Sequence, residues 1–292
     1  MRIAITGASG LIGSALASSL RNDGHEVLEF VRRAARQPHE ISWNPATGAV
    51  DTSALHGIDA VVHLAGAGVG DRRWNAAYKR TILESRVLGT QTIARAVAQA
   101  GVPVLISGSA MGYYGDTGAT AVDESAPRGA GFLAEVVEAW EAAAAPAIES
   151  GVRVAFIRTG LVMTPRGGAL SKMLPLFKLG LGGRLGTGRQ YWSTISLRDE
   201  VAAIKFLIEH DVRGPFNLVA PASATNAEFT RSLAAALRRP ALLPVPAIAL
   251  KLVLGEFSSE VLGSQRVIPT RLLEAGFKFK DASLDAITAS VI

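Results

Sequence analysis

"ITGASGLIG", residues 5–13, decides how this chain is read. Gly7, Gly10 and Gly13 stand three residues apart, directly after the β-like run "RIAIT" (2–6) and at the start of a helical pattern over 11–22. This spacing gives each glycine a separate job. The first allows a tight turn, the second lets backbone approach a pyrophosphate, and the third lets helix pack on strand. The helix then points its free N–H groups at the phosphates. With 30 glycines in the chain, spacing alone says little. The strand before it and the helix after it make it a dinucleotide turn, with Gly7, Ser9, Gly10, Leu11 and Ile12 as expected contacts.

Outward from this turn, apolar runs alternate with helical patterns. The runs are "EVLEFV" (26–31), "AVVHLA" (60–65), "VPVLIS" (102–107) and "RVAFIR" (153–158). They are Val/Ile-rich and nearly unbroken, as strands covered on both faces are. Helical stretches lie near 75–99 and 132–149, the latter with a kink expected at Pro146. Repeated β-α-β units predict an α/β fold, a doubly wound parallel sheet of Rossmann type. After residue 158 the texture turns Gly-rich, then "DEVAAIKFLIEH" (199–210) restores a helix and "GPFNLVA" (214–220) a strand. Short helices broken by prolines follow.

The second strand ends "EFVRR" (29–33). An acidic residue there would hold the ribose 2′-OH of NAD; Val31 is followed instead by Arg32 and Arg33. A guanidinium pair suits a 2′-phosphate, so the expected cofactor is NADP (NADPH), with NAD the lesser expectation. Glu29 lies two residues too early to replace the missing acid. The expected division is an NADP-binding Rossmann domain over 1–160, completed by about 196–220. A smaller lobe over 161–195 and 221–292 folds across the sheet's C-terminal edge.

Hydrophobic residues make up 49% of the chain and charged residues 19%, which excludes a disordered protein. The absence of cysteine excludes disulfides and thiolate zinc sites. Net charge is +5, but no dense Lys/Arg run occurs, so a phosphate-bearing small ligand is expected rather than nucleic acid. "ALLPVPAIALKLVLG" (241–255) is too short and interrupted to span a bilayer. With a strand starting at residue 2, no targeting segment is expected, and the cytoplasm is the expected compartment. A monomer or homodimer is expected.

"TGASGLIG", "DAVVHLAG" (59–66), "VLGTQTIARAVAQAG" (87–101) and "ISGSAMGYYG" (106–115) with "VDESAP" (122–127) resemble the extended, epimerase-like branch of the short-chain dehydrogenase/reductase superfamily. "GDRRW" (70–74), residues 159–193, residues 224–247 and "SQRVIPTRLLEAGFKF" (264–279) resemble an atypical subgroup of it. Its members are called epimerase family proteins, and they end in a C-terminal domain of unknown function. The resemblance spans nearly the whole chain. It implies cofactor contacts at Leu64, Ala65, Gly66, Ser107, Gly108, Thr159, Gly160 and Leu161. It also places Ser109 where these enzymes hold the reacting oxygen, and Tyr113 where their "YG" tyrosine lies.

One element departs from the superfamily. "GFLAEVVEAWEAA" (131–143) should carry Tyr and, four residues on, Lys, the pair that moves a proton as hydride moves. The four tyrosines, 78, 113, 114 and 191, are followed at that distance by Ile82, Thr117, Gly118 and Ile195. The pair is therefore absent everywhere. Its place falls on Phe132 with Val136 or, one residue on, Leu133 with Val137.

Ser109 and Tyr113 are the candidate catalytic residues. Ser109 reads equally as a turn or ribose contact, and Tyr113 with Tyr114 as packing. Arg73, Trp74, Lys172, Tyr191 and Trp192 are candidates for the substrate cleft, the two tryptophans reading first as lobe packing and Lys172 as a surface charge. His63 reads as a satisfied buried histidine, and Asp123 with Glu124 as a loop turn; no metal site is expected. Two functions stay open: an NADP(H)-dependent oxidoreductase or epimerase-like enzyme of unknown small-molecule substrate with an altered acid, or an NADP(H)-binding sensor without turnover.

Overall fold

The computed structural model describes all 292 residues. Its strands are β1 (Arg2–Thr6), β2 (Glu26–Val31), β3 (Glu40–Asn44), β4 (Ala49–Val50), β5 (Ala60–His63), β6 (Val104–Ala110), β7 (Arg153–Thr159), β8 (Leu161–Met163), β9 (Tyr191–Trp192), β10 (Thr194–Ser196), β11 (Gly214–Leu218) and β12 (Ala224–Thr225). The helices are α1 (Leu11–Asn22), α2 (Ala76–Ala100), α3 (Phe132–Ala142), α4 (Ala145–Glu149), α5 (Gly168–Lys178), α6 (Leu197–Glu209), α7 (Asn226–Leu237), α8 (Ala247–Leu254), α9 (Ser258–Leu262), α10 (Thr270–Glu274) and α11 (Leu284–Ala289).

Eight strands form one sheet in the order β11-β7-β6-β5-β1-β2-β3-β4, parallel throughout except for β3 with β4. Alternate residues bury on opposite faces. Ile3, Ile5, Val62, Ile106 and Ile157 meet α1 and α6; Ala4, Val61, Leu105, Val154 and Phe156 meet α2 and α4. Strand order reverses between β1 and β5, so the crevice for ligands opens at the carboxyl ends of β1, β5 and β6.

β3 and β4 were not expected. "EISWN" is short and alternates: Ile41 and Trp43 are buried, and Trp43 packs edge-on to Phe30 at 6.0 Å. Residues 132–149 form two helices rather than one kinked helix, with Pro146 in the first turn of α4. The lobe has its own core, where Leu170, Leu174, Phe177, Trp192, Phe229 and Ile287 meet. No helix is long and apolar enough to cross a membrane.

Candidate functional site

The turn between β1 and α1 has the geometry its sequence demands. Gly7 adopts φ +69°, and a Cβ on it would sit 3.0 Å from the Leu64 carbonyl carbon. A Cβ on Gly13 would lie 2.2 Å from the Gly7 oxygen, so helix and turn touch only because none is there. α1 starts after Gly10 with no side-chain cap and no acid in its first turn. Its first N–H groups are thus left for an outside anion.

The backbone after β5 is more committed than expected. Thr6 Oγ1 accepts the N–H groups of Leu64 (3.0 Å) and Ala65 (3.1 Å), leaving its own proton for His63 Nδ1 at 2.7 Å. Leu64 and Ala65 therefore have no amide to offer a cofactor. His63 is fully buried, and burial pushes its imidazole down to about 3. Only one of its nitrogens is bonded, so it is half satisfied rather than satisfied.

The two arginines after β2 differ. Arg33 grips Glu40 with both terminal nitrogens (2.8 and 2.6 Å), and that contact holds the Glu40 carboxyl down at about 2. Arg32 is exposed and has no partner. Glu29 is occupied by Arg21 at 2.6 Å.

At the end of β6, Ser109 is buried and donates to Glu141 Oε1 on α3 at 2.6 Å. Arg158, at the end of β7, clasps the same carboxylate with Nε at 2.8 Å and Nη2 at 2.9 Å. Its Nη1 reaches the Tyr114 hydroxyl at 3.0 Å, which donates to Asn217 Oδ1 at 2.8 Å. Asn217 N–H goes to Glu124 Oε1 at 2.8 Å. Burial pushes the Glu124 carboxyl up, and its other oxygen takes the Arg271 N–H. Asp123 does make the expected turn, with Ser125, whereas Glu124 ties β11 to α10.

Tyr113 stands differently from Tyr114. The Arg158 guanidinium lies 3.5 Å above its ring, and its phenol makes no hydrogen bond. Tyr114 is buried, and burial pushes its phenol up to about 12.

Thr159 donates to Glu200 Oε1 at 2.7 Å. Leu161 N–H is taken by the Ser193 carbonyl at 2.9 Å, the same oxygen that a Cβ on Gly160 would strike. Ser107 is fully buried, and Gly108 lies against Trp140. Among the cleft candidates, Trp74 is buried between Phe132 and Phe257 and donates to the Val69 carbonyl at 2.8 Å. Trp192 is buried against Phe229 in the lobe core. Trp192 thus packs the lobe core, whereas Trp74 joins Ile82 of α2 and Val136 of α3 and meets the lobe only through Phe257. Lys172 Nζ reaches the Gly70 carbonyl at 3.3 Å, Arg73 lies over Gly255, and Tyr191 stacks under Arg266 at 4.8 Å. A groove of about 910 Å³ runs along α1 and α6, away from the ends of β1, β5 and β6.

The model of the NAD dependent epimerase/dehydratase family matches residues 3–219. The chain belongs to that family. A second model, a domain of unknown function (DUF1731), matches residues 245–289. An epimerase family protein of Mycobacterium bovis, Mb2239, is 50% identical over 279 residues, covering 95% of this chain and 93% of its own. Epimerase family protein SDR39U1 of Bos taurus is 40% identical across all of both chains. The crystal structure of human epimerase family protein SDR39U1, solved with NADPH, superposes with a TM-score of 0.92 at 35% identity, over 100% of this chain and 99% of that one. UDP-N-acetylglucosamine 4-epimerase from Bacillus cereus shares the fold at 17% identity and a TM-score of 0.78.

Within this family member, sequence reasoning missed Glu141, Arg158, Asn217 and Glu200. Arg158 left one signal, a charge closing the buried run "VAFIR". Glu141 left none, because a glutamate near a helix end reads as solvated.

Proposed function

We propose that this chain binds NADPH and serves an oxidoreductase or epimerase-type reaction on a small molecule, with Ser109 and Tyr113 replacing the Tyr-x-x-x-Lys pair. The cofactor's fit rests on the uncapped start of α1 and on the free Arg32. Gly7, Ser9, Gly10, Leu11 and Ile12 would hold the pyrophosphate, Arg32 the 2′-phosphate, and Gly66, Gly108, Gly160 and Leu161 the nicotinamide half. NADPH supplies a hydride when bound. The human relative's NADPH supports the same choice over NAD. Residues 1–160 with 196–220 form the binding unit, and the remainder the substrate lobe. A soluble small molecule in the cytoplasm fits this reading better than nucleic acid or membrane.

The end of β6 carries the catalytic part. Tyr113 offers an unbonded phenol beside a permanent cation, the arrangement that suits a proton donor to a substrate oxygen. Ser109, having given its proton to Glu141, presents lone pairs that accept from a substrate hydroxyl. Stopped-flow oxidation of NADPH against an aldehyde and ketone panel tests it. Tyr113→Phe should lower any turnover at least tenfold with NADPH affinity unchanged. Arg32→Ala should weaken NADPH by about 1.5–3 kcal/mol and leave NADH nearly unchanged. Equal losses for the two cofactors would sink the 2′-phosphate assignment.

A second reading, binding without turnover, draws on the same Ser109–Glu141 bond, since a hydroxyl proton spent there is not offered to a carbonyl. A wild-type protein that binds NADPH and oxidises it with none of the panel would put that reading ahead.

A further inference from the structure

Arg86 on α2 differs from the other inward-facing arginines. Arg153 spends both terminal nitrogens on the carbonyls of Leu207, Val212 and Ile208. Arg271 does the same with the carbonyls of Pro215 and Arg213, and Arg158 is matched by Glu141. Arg86 uses Nη1 alone, on the carbonyls of Ala67 (2.9 Å) and Ile82 (3.1 Å). Its Nε and Nη2 have no protein partner, yet they are not sealed from solvent. No carboxylate lies within ion-pair distance of it.

Its surroundings hold that open edge in place. The guanidinium lies 4.9 Å from the centre of the Trp140 ring, and Trp140 in turn packs on Gly108, next to Ser109. It also sits 3.6 Å from the point that a Cβ of Gly66 would occupy. Ser85 Oγ accepts the Ala67 N–H at 3.1 Å, so Ser85 and Arg86 together fix the loop after β5. Withdrawing a cation from water without a counter-charge is costly, and burial already pushes this arginine down to about 10. A planar fork with one anchored and one open edge matches a carboxylate or phosphate in two-point contact.

We infer that Arg86 is the anion receptor of this cleft, presenting its Nε–Nη2 edge to a carboxylate or phosphate of a bound ligand. The location rests on the cofactor reading above; the chemistry of the fork does not. The anion has two possible sources, the cofactor's own pyrophosphate or an acidic substrate lying beside Ser109.

The test compares wild type with Arg86→Met, which removes the charge, and Arg86→Lys, which keeps it without the fork. NADPH and NADH are titrated by fluorescence. Malonate and inorganic phosphate are titrated into the NADPH-saturated protein by thermal shift, and into the free protein if the wild type binds no NADPH. A substrate site predicts NADPH affinity within twofold in Arg86→Met and at least a tenfold loss for malonate or phosphate. A pyrophosphate site predicts at least tenfold losses for NADPH and NADH alike, their ratio unchanged, unlike the ratio change expected of Arg32→Ala. A folded Arg86→Met with all four affinities within twofold of wild type overturns the assignment and leaves Arg86 a loop anchor. If Arg86→Met does not fold, Arg86→Lys decides by the same thresholds. A wild type that binds malonate or phosphate through Arg86 but not NADPH would refute the cofactor reading and keep the receptor.

Discussion

Glu200 is held toward its protonated form because burial outweighs the single hydrogen bond, from Thr159, that stabilises its charge. It is fully buried, with Oε1 bonded to Thr159 and Oε2 unpartnered. Burial pushes its carboxyl from the usual 4.5 up to about 8. Between those values the folded chain binds a proton that the unfolded chain has lost, so stability falls as pH rises from 4.5 to 8. Gln at this position mimics the protonated acid. In Glu200→Gln the fall in unfolding free energy between pH 5 and 8 should be smaller than in wild type, measured by urea titration. Identical pH profiles would contradict the assignment. His63 acts with the opposite sign: its folded value near 3 lies below the ordinary 6.5. Its contribution is present above 6.5 and is lost as pH falls toward 3. Comparing the variant with wild type cancels that term.

At the scale of elements, α3 shows where sequence reading stops. Phe132 and Leu133 are both apolar, so the place of the lost Tyr is ambiguous by one residue. The fold separates them. Phe132 and Val136 point to the cluster of Trp74 and Ile82, and Leu133 reaches its edge. Leu133, unlike Phe132, also approaches Gly112, and Leu133, Val137 and Glu141 follow one another at four-residue steps on the face that meets Ser109. The rebuilt pair therefore belongs at Leu133→Tyr with Val137→Lys. That double variant should gain NADPH-dependent aldehyde reduction. Phe132→Tyr with Val136→Lys should gain none and should lose stability, because Val136 is buried and the Lys79 ammonium already stands over the Phe132 ring. Activity from the second design and not the first would reverse the register.

The parallel strands and the glycine turn were legible because each is written in local residues; that Glu40 takes Arg33 and leaves Arg32 without a partner was not. The network around Ser109 was not. Its members lie 32, 17, 103 and 93 positions apart, and no periodicity encodes such meetings. β3 escaped because five alternating residues between loops carry too little pattern.

For the whole molecule, the segments outside the sheet unit are tied to it unequally. Residues 264–281 are stitched to the sheet unit: Ser264 to Thr117, Arg266 and Ile268 to Val122, and Lys280 with Asp281 to Asp199. By contrast, the segment around α5 meets the phosphate turn where Gly167 and Gly168 approach Leu11. Hydrogen exchange should find 264–281 protected before any ligand is added, with NADPH adding protection at 7–13 and 165–181. Equal gains across both segments would show that the lobe closes as a unit.

That stitching has a consequence for synthesis. Thr117 pairs with Ser264 across 147 positions, and Glu124 cannot reach Arg271 until still later residues exist. At about 5–20 residues per second, the ribosome takes roughly 7–30 s to supply them. Through that interval the nascent N-terminal sheet carries a buried-type carboxylate and an unpaired loop edge with their partners not yet made. Residues 117–124 wait out that interval uncovered, and a chain cut before residue 264 lacks the partners that seal them.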